Sequence, residues 1–141
     1  MKGEHYGEFK QKLVIDHADG AKFVSGGLRD QFVYRHFGIE EATGGKYCAH
    51  VIRGAGGKPP IANHVHTEID FLMVYVLKGW ITFWYEGHGE ETLKAGSVHM
   101  LPPGIDHGVV DWSDDIELIE ITSPEKYGTV ESSAEELAET A

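Results

Sequence analysis

From residue 31 onward the chain alternates between short apolar runs and polar, Gly- or Pro-containing breaks. The runs are QFVYRHFGI (31–39), YCAHVIR (47–53), IANHVHT (61–67), DFLMVYVL (70–77), WITFWYE (80–86), EETLKA (90–95), SVHMLPP (97–103), HGVVDW (107–112) and IELIEIT (116–122). They are rich in Val, Ile, Tyr, Phe and Trp, which fit a pleated, half-buried surface, so each is predicted as a β-strand. KGW, EGHGE, AGS, PPGID and SDD have the chemistry of tight turns, EEATGGK is a connection, and GAGGKPPIAN is a loop. Many short strands at close spacing predict an all-β sandwich or barrel.

The ends differ from this pattern. Residues 1–30 show no periodicity, and DHADGAKF and SGGLRD in that span read as turns. ESSAEELAETA (131–141) is acidic and poor in large apolar residues, which suits either a short helix capped by Ser132 or Ser133 or a frayed tail. The expected organisation is an N-terminal arm over 1–30, a β-barrel over 31–125 and an acidic C-terminal tail over 126–141.

Charge and composition narrow the partners. A length of 141 residues suits one domain, and a formal charge of −11 argues against nucleic acid or an anionic membrane surface. MKGEHYGEFKQ has no apolar h-region, and FLMVYVL is far too short to span a bilayer. Cys48 is the one cysteine, so no internal disulfide forms. These features predict a cytoplasmic protein. Cys48 reads better as a small buried strand residue than as a nucleophile.

The chemistry lies in the histidines, of which there are nine. His64 and His66 are two apart in IANHVHT and so point to one face of a strand. In GSVHMLPPGIDHGVVD, the rigid turn at Pro102-Pro103-Gly104 precedes His107, a third candidate ligand, with Asp111 on the same face by period two.

Here the chain resembles the cupins, small double-stranded β-helix or jelly-roll proteins. Their second motif, G-x5-P-x-G-x2-H-x3-N, maps without a gap from Gly96 to His107, with Asp111 in the place of Asn. Their first motif, G-x5-H-x-H-x3or4-E-x6-G, gives His64 and His66 and closes at Gly79. YRHFGIEEATGG, DFLMVYVLKGW and LPPGIDH further resemble a group of small bacterial single-domain cupins for which no reaction is established. The resemblance implies an all-β jelly-roll barrel with added N-terminal strands. It also implies a divalent transition metal (Fe, Ni, Zn, Cu or Mn) on His64, His66 and His107.

One position departs from the motif. Counting back from Gly79 places Leu72 where the family has Glu and the closer group has Gln. Leu cannot ligate, so the expected fourth ligand is absent. Glu68 and Asp70 lie near, and they share the face of His64 and His66 only if the strand runs on without a bend. Losing the carboxylate raises the site's charge by one, which favours an anionic ligand.

Other pocket candidates are His99, whose facing is open between pocket and interface, and His50 and Arg53 on YCAHVIR. Asp111 is read as a hydrogen-bond partner of a ligand histidine or as a base. His88 falls in a turn, and Tyr75, Trp80, Phe83 and Trp84 read as core or dimer interface. The expected function is a metal-dependent enzyme on a small molecule, of dioxygenase type. A metal-dependent isomerase or lyase and a non-catalytic ligand-binding barrel are the alternatives. A homodimer is expected.

Overall fold

The structure, a computed structural model, describes residues 10–25, 31–57 and 62–132. In chain order its elements are β1 (Phe32–His36), α1 (Ile39–Ala42), β2 (Cys48–Gly54), β3 (His64–Thr67), β4 (Phe71–Lys78) and β5 (Trp80–Tyr85). They continue with β6 (Gly89–Lys94), β7 (Val98–Met100), β8 (His107–Trp112), β9 (Glu117–Ser123) and β10 (Gly128–Glu131).

The strands form two five-stranded antiparallel sheets, β1-β2-β9-β4-β7 and β10-β3-β8-β5-β6. They face each other as a jelly roll. Leu72, Val74 and Val76 of β4 pack between the sheets with Ile81 and Phe83 of β5, Trp112 of β8 and Leu118 of β9. Alternation places these residues inward, as on β4, where Leu72, Val74 and Val76 are buried while Phe71, Tyr75 and Leu77 are exposed.

The strand pattern read from sequence survives with three changes. The first run stops at His36 because Gly38 takes a left-handed conformation (φ 83°) and starts the one-turn helix α1 within EEATGGK. The second change is in the N-terminal arm, which carries no strand pattern yet lies against the first sheet where described: Val24 bridges Tyr34, and Asp16 pairs with Arg35 at 2.8 Å.

The third change concerns the barrel's end. It runs past residue 125, because β10 pairs with β3 from Gly128 opposite Thr67 to Glu131 opposite His64. A four-residue strand, GTVE, is too short to show periodicity, so the sequence reading placed it in the acidic tail. Residues 133–141, with the predicted C-terminal helix or tail, lie outside the described residues, as do residues 1–9.

Gly79 closes the turn between β4 and β5 at φ 75°. A Cβ there would collide with Ser113 Oγ and lie 2.6 Å from Asp115 Oδ1. Gly79→Ala is therefore expected to lower stability by about 2–3 kcal/mol, from left-handed strain plus the clash. Urea denaturation measures it, and a loss below about 1 kcal/mol would contradict this account.

Candidate metal centre

His64 and His66 project from β3, and His107 stands opposite His64 across the β3–β8 pair. Strand alternation places the first two on one face, and the cross-strand register adds the third. The ring centroids are 4.3 Å (His64–His107), 4.6 Å (His64–His66) and 4.9 Å (His66–His107) apart. One nitrogen from each ring lies within 4.8 Å of the others, and among the described residues these three form the one such group.

Hydrogen bonds orient the rings. His107 Nδ1 lies 3.1 Å from the Ile105 carbonyl, and His64 Nδ1 lies 3.4 Å from that of Ala62. A carbonyl only accepts, so Nδ1–H donates in both, and the neutral ring carries its lone pair on Nε2. His66 Nδ1 meets Thr129 Oγ1 of β10 at 3.2 Å. Oxygen partners on the non-ligating nitrogen are what metal-binding imidazoles require. The donor set therefore fits a divalent transition metal.

The centre opens on a cavity of about 300 Å³ between the sheets. Leu72 lines it, 2 % exposed, at the position where the cupin motif carries Glu. His50 and His99 line it as well. His99 thus faces the pocket, which the sequence had left open.

Two sequence candidates fall outside the cavity. Asp111 is exposed, because β8 carries an extra residue, Val110, between Val109 opposite Phe83 and Asp111 opposite Thr82. This bulge turns Asp111 off the face of His107, and its Oδ1 accepts from the Trp112 N–H at 2.8 Å. Asp70 is also exposed. Glu68 adopts φ 59°, which bends the chain after β3 and removes both acids from the histidine face.

Arg53 is a surface residue that stacks on Phe23 and bonds Glu117 at 3.2 Å. His88 is exposed and pairs with Glu91 at 2.6 Å. Cys48 is buried; desolvation, then the hydrogen bond and charge of Glu40, push its thiol up to about 12, so it is no nucleophile at neutral pH.

The sequence missed Glu120, Tyr127 and Thr129. Glu120 on β9 lines the cavity opposite the histidines and accepts from His50 Nε2 at 2.9 Å. Burial alone would raise its carboxyl, but the hydrogen bond and charge of His50, then the charges of His66 and His99, outweigh it and hold it below its ordinary value. The only signal was a charged residue in phase with Leu118 in IELIEIT. Tyr127 sits edge-on to His66 at 5.1 Å.

The fold is that of a small cupin, and comparison with solved structures bears this out. The chain is similar to the polyketide cyclase RemF from Streptomyces resistomycificus (16% identity, 86% of this chain and 87% of that one, TM-score 0.69). It is similar to a cupin-superfamily sugar phosphate isomerase from Silicibacter pomeroyi (19%, 83% and 80%, TM-score 0.64). It is also similar to KdgF from Halomonas sp. (19%, 82% and 96%, TM-score 0.62). Neither a protein-family model nor a curated relative matches the sequence. Among the described residues no helix is long and apolar enough to cross a membrane.

His99 gives a pH prediction. Desolvation, then the charge of His107, lower it from 6.5 to about 4, against a smaller opposing pull from Glu120. The unfolded chain takes up a proton near pH 6.5 that the folded chain refuses until about pH 4, so stability from this group is complete above 6.5 and lost as pH falls toward 4. Between pH 7 and 4, the stability of metal-free wild type should fall about 2–3 kcal/mol further than that of His99→Leu. Parallel denaturation curves across that range would refute the assignment.

Proposed function

We propose that the protein is a metal-dependent enzyme acting on a small molecule held between its two sheets, with His64, His66 and His107 as the metal ligands. The observation that carries this reading is the convergence of three imidazoles, each with an oxygen partner on Nδ1, at the wall of a cavity between the sheets. A bound divalent metal would supply Lewis acidity and, if it is iron, a site for O2.

The protein's own residues do the rest. Leu72 leaves the fourth position without a protein donor, and the apolar side chains of Leu72, Val74, Ile81 and Phe83 offer an apolar wall to the ligand. Room for a chelating substrate beside O2 supports a dioxygenase-type oxidoreductase. The Glu120–His50 pair facing the same cavity supports a second reading, a metal-dependent isomerase or lyase in which this pair moves a proton.

Elemental analysis of untagged protein tests the metal. One Fe, Ni, Zn, Cu or Mn per chain is expected, falling to a small fraction in His107→Ala. No metal in wild type at neutral pH would leave the non-catalytic binding barrel. Oxygen consumption on the loaded protein with candidate chelating substrates separates the two enzyme readings.

The apolar outer face of the first sheet supports a homodimer. Tyr75 and Leu77 of β4 and Val98 and Met100 of the edge strand β7 are 39%, 45%, 55% and 60% exposed, and Tyr75 stands opposite Val98. Sedimentation velocity should show a dimer that Met100→Glu converts to monomer; a wild-type monomer at micromolar concentration would end this reading. Cys48, buried and free, suits a reducing cytoplasm.

A further inference from the structure

Glu120 is a carboxylate inside a barrel, and imidazoles compensate its charge. Among the described residues lining the cavity, none is Lys or Arg. Among the described residues its hydrogen-bond partner is His50, at 2.9 Å. A buried carboxylate compensated by imidazoles, unlike one paired with Lys or Arg, depends on how far those rings carry charge. Its charge also acts on the imidazoles of His66 and His99, the Tyr127 hydroxyl and the Cys48 thiol.

The sheet register shows how Glu120 relates to the vacant ligand position. Leu72 stands opposite Thr122, and Val74 opposite Glu120. Leu72, Val74, Glu120 and Thr122 all face inward, so Glu120 is the diagonal neighbour of Leu72 on the adjoining strand. It lies outside the three-histidine group itself, beyond ligating reach.

We propose that Glu120 is the charge partner of the three-histidine centre, filling from β9 the electrostatic role that a carboxylate at position 72 would fill from β4. This rests on the metal reading above. Three neutral imidazoles leave a divalent ion with its full charge, and Glu120 reduces the net charge of the cavity by one without occupying a coordination position. The centre keeps the charge balance of a three-histidine, one-glutamate site and gains an open position against the apolar side of Leu72. The ligand class follows: an oxygen donor with an apolar body and at most one negative charge. A dianionic phosphate ester meets Glu120 with no Lys or Arg among the described residues of the cavity wall to offset it.

The test uses two readouts that a lost charge moves in opposite directions. Metal-free full-length protein is titrated with Co²⁺ by calorimetry, and the Co²⁺-loaded protein is titrated with azide by visible absorption. Glu120→Gln should weaken Co²⁺ binding roughly tenfold or more, because an attractive charge is gone, and tighten azide severalfold, because a repulsive one is gone. A merely structural role weakens both, and that result overturns the proposal, as does no change in either.

If Glu120→Gln does not fold, the paired variant Leu72→Glu, Glu120→Gln decides. It returns the carboxylate to β4, and Co²⁺ affinity at or above wild type supports the proposal, whereas affinity tenfold below wild type overturns it. Wild type that binds no Co²⁺ refutes the metal reading itself; wild type and Glu120→Gln binding Co²⁺ alike refutes only the role of Glu120.

Discussion

The site depends on one cross-strand register, His64 opposite His107. Among the described residues it is the single pair in register between β3 and β8, and it joins the β10-β3 ribbon to the rest of its sheet. A slip of one residue would turn His64 and His66 outward together, because side chains alternate with period two. The pairing is reinforced from both sides. Gly108 packs so closely on Asn63 that a Cβ there would overlap the Asn63 side chain, and the Ile105 carbonyl holds the His107 ring. Thr129 of β10 holds the ring of His66 from the far side of β3.

The two sheets contribute different chemistry to the cavity between them. β3 and β8 carry imidazole nitrogen donors, while β2, β4 and β9 carry the His50–Glu120 pair and the apolar side chains of Leu72 and Val74. A ligand between them meets donor atoms on one side and a fixed negative charge on the other. Polar groups inside a barrel are costly unless partnered. Here the cost is offset by short internal bonds, including Tyr85 hydroxyl to His99 Nδ1 at 2.7 Å. His99 Nε2 remains buried with no partner among the described residues.

Much of this was legible in the sequence. Strands announced themselves through composition and turns, and the HxH and PPGIDH spacings located the three histidines. The failures share a physical cause: period two extrapolates only through regular backbone. One extra residue at Val110 moved Asp111 to the surface, and one left-handed residue at Glu68 did the same for Asp70. Neither Val110 nor Glu68 is a residue type that signals irregularity, as Gly or Pro would. β10 was missed because four residues carry too little pattern.

Glu120 was hidden for a different reason, and it explains why sequence motifs give an incomplete account of such a centre. β9 lies in the middle of its sheet with Ile119 and Ile121 half-buried on the outer face, so the outward phase reads as more apolar than the inward Leu118, Glu120 and Thr122 and the core side does not stand out. A motif records ligands on the strands that carry them and is silent about charge on the strand alongside. Electrostatic interaction inside a low-dielectric barrel extends over several ångströms and does not require coordination. A carboxylate can therefore influence a metal centre from a neighbouring strand. Leu72 is a lost ligand when β4 is read alone; with β9 beside it, the same position becomes an apolar opening next to a carboxylate that the barrel still contains.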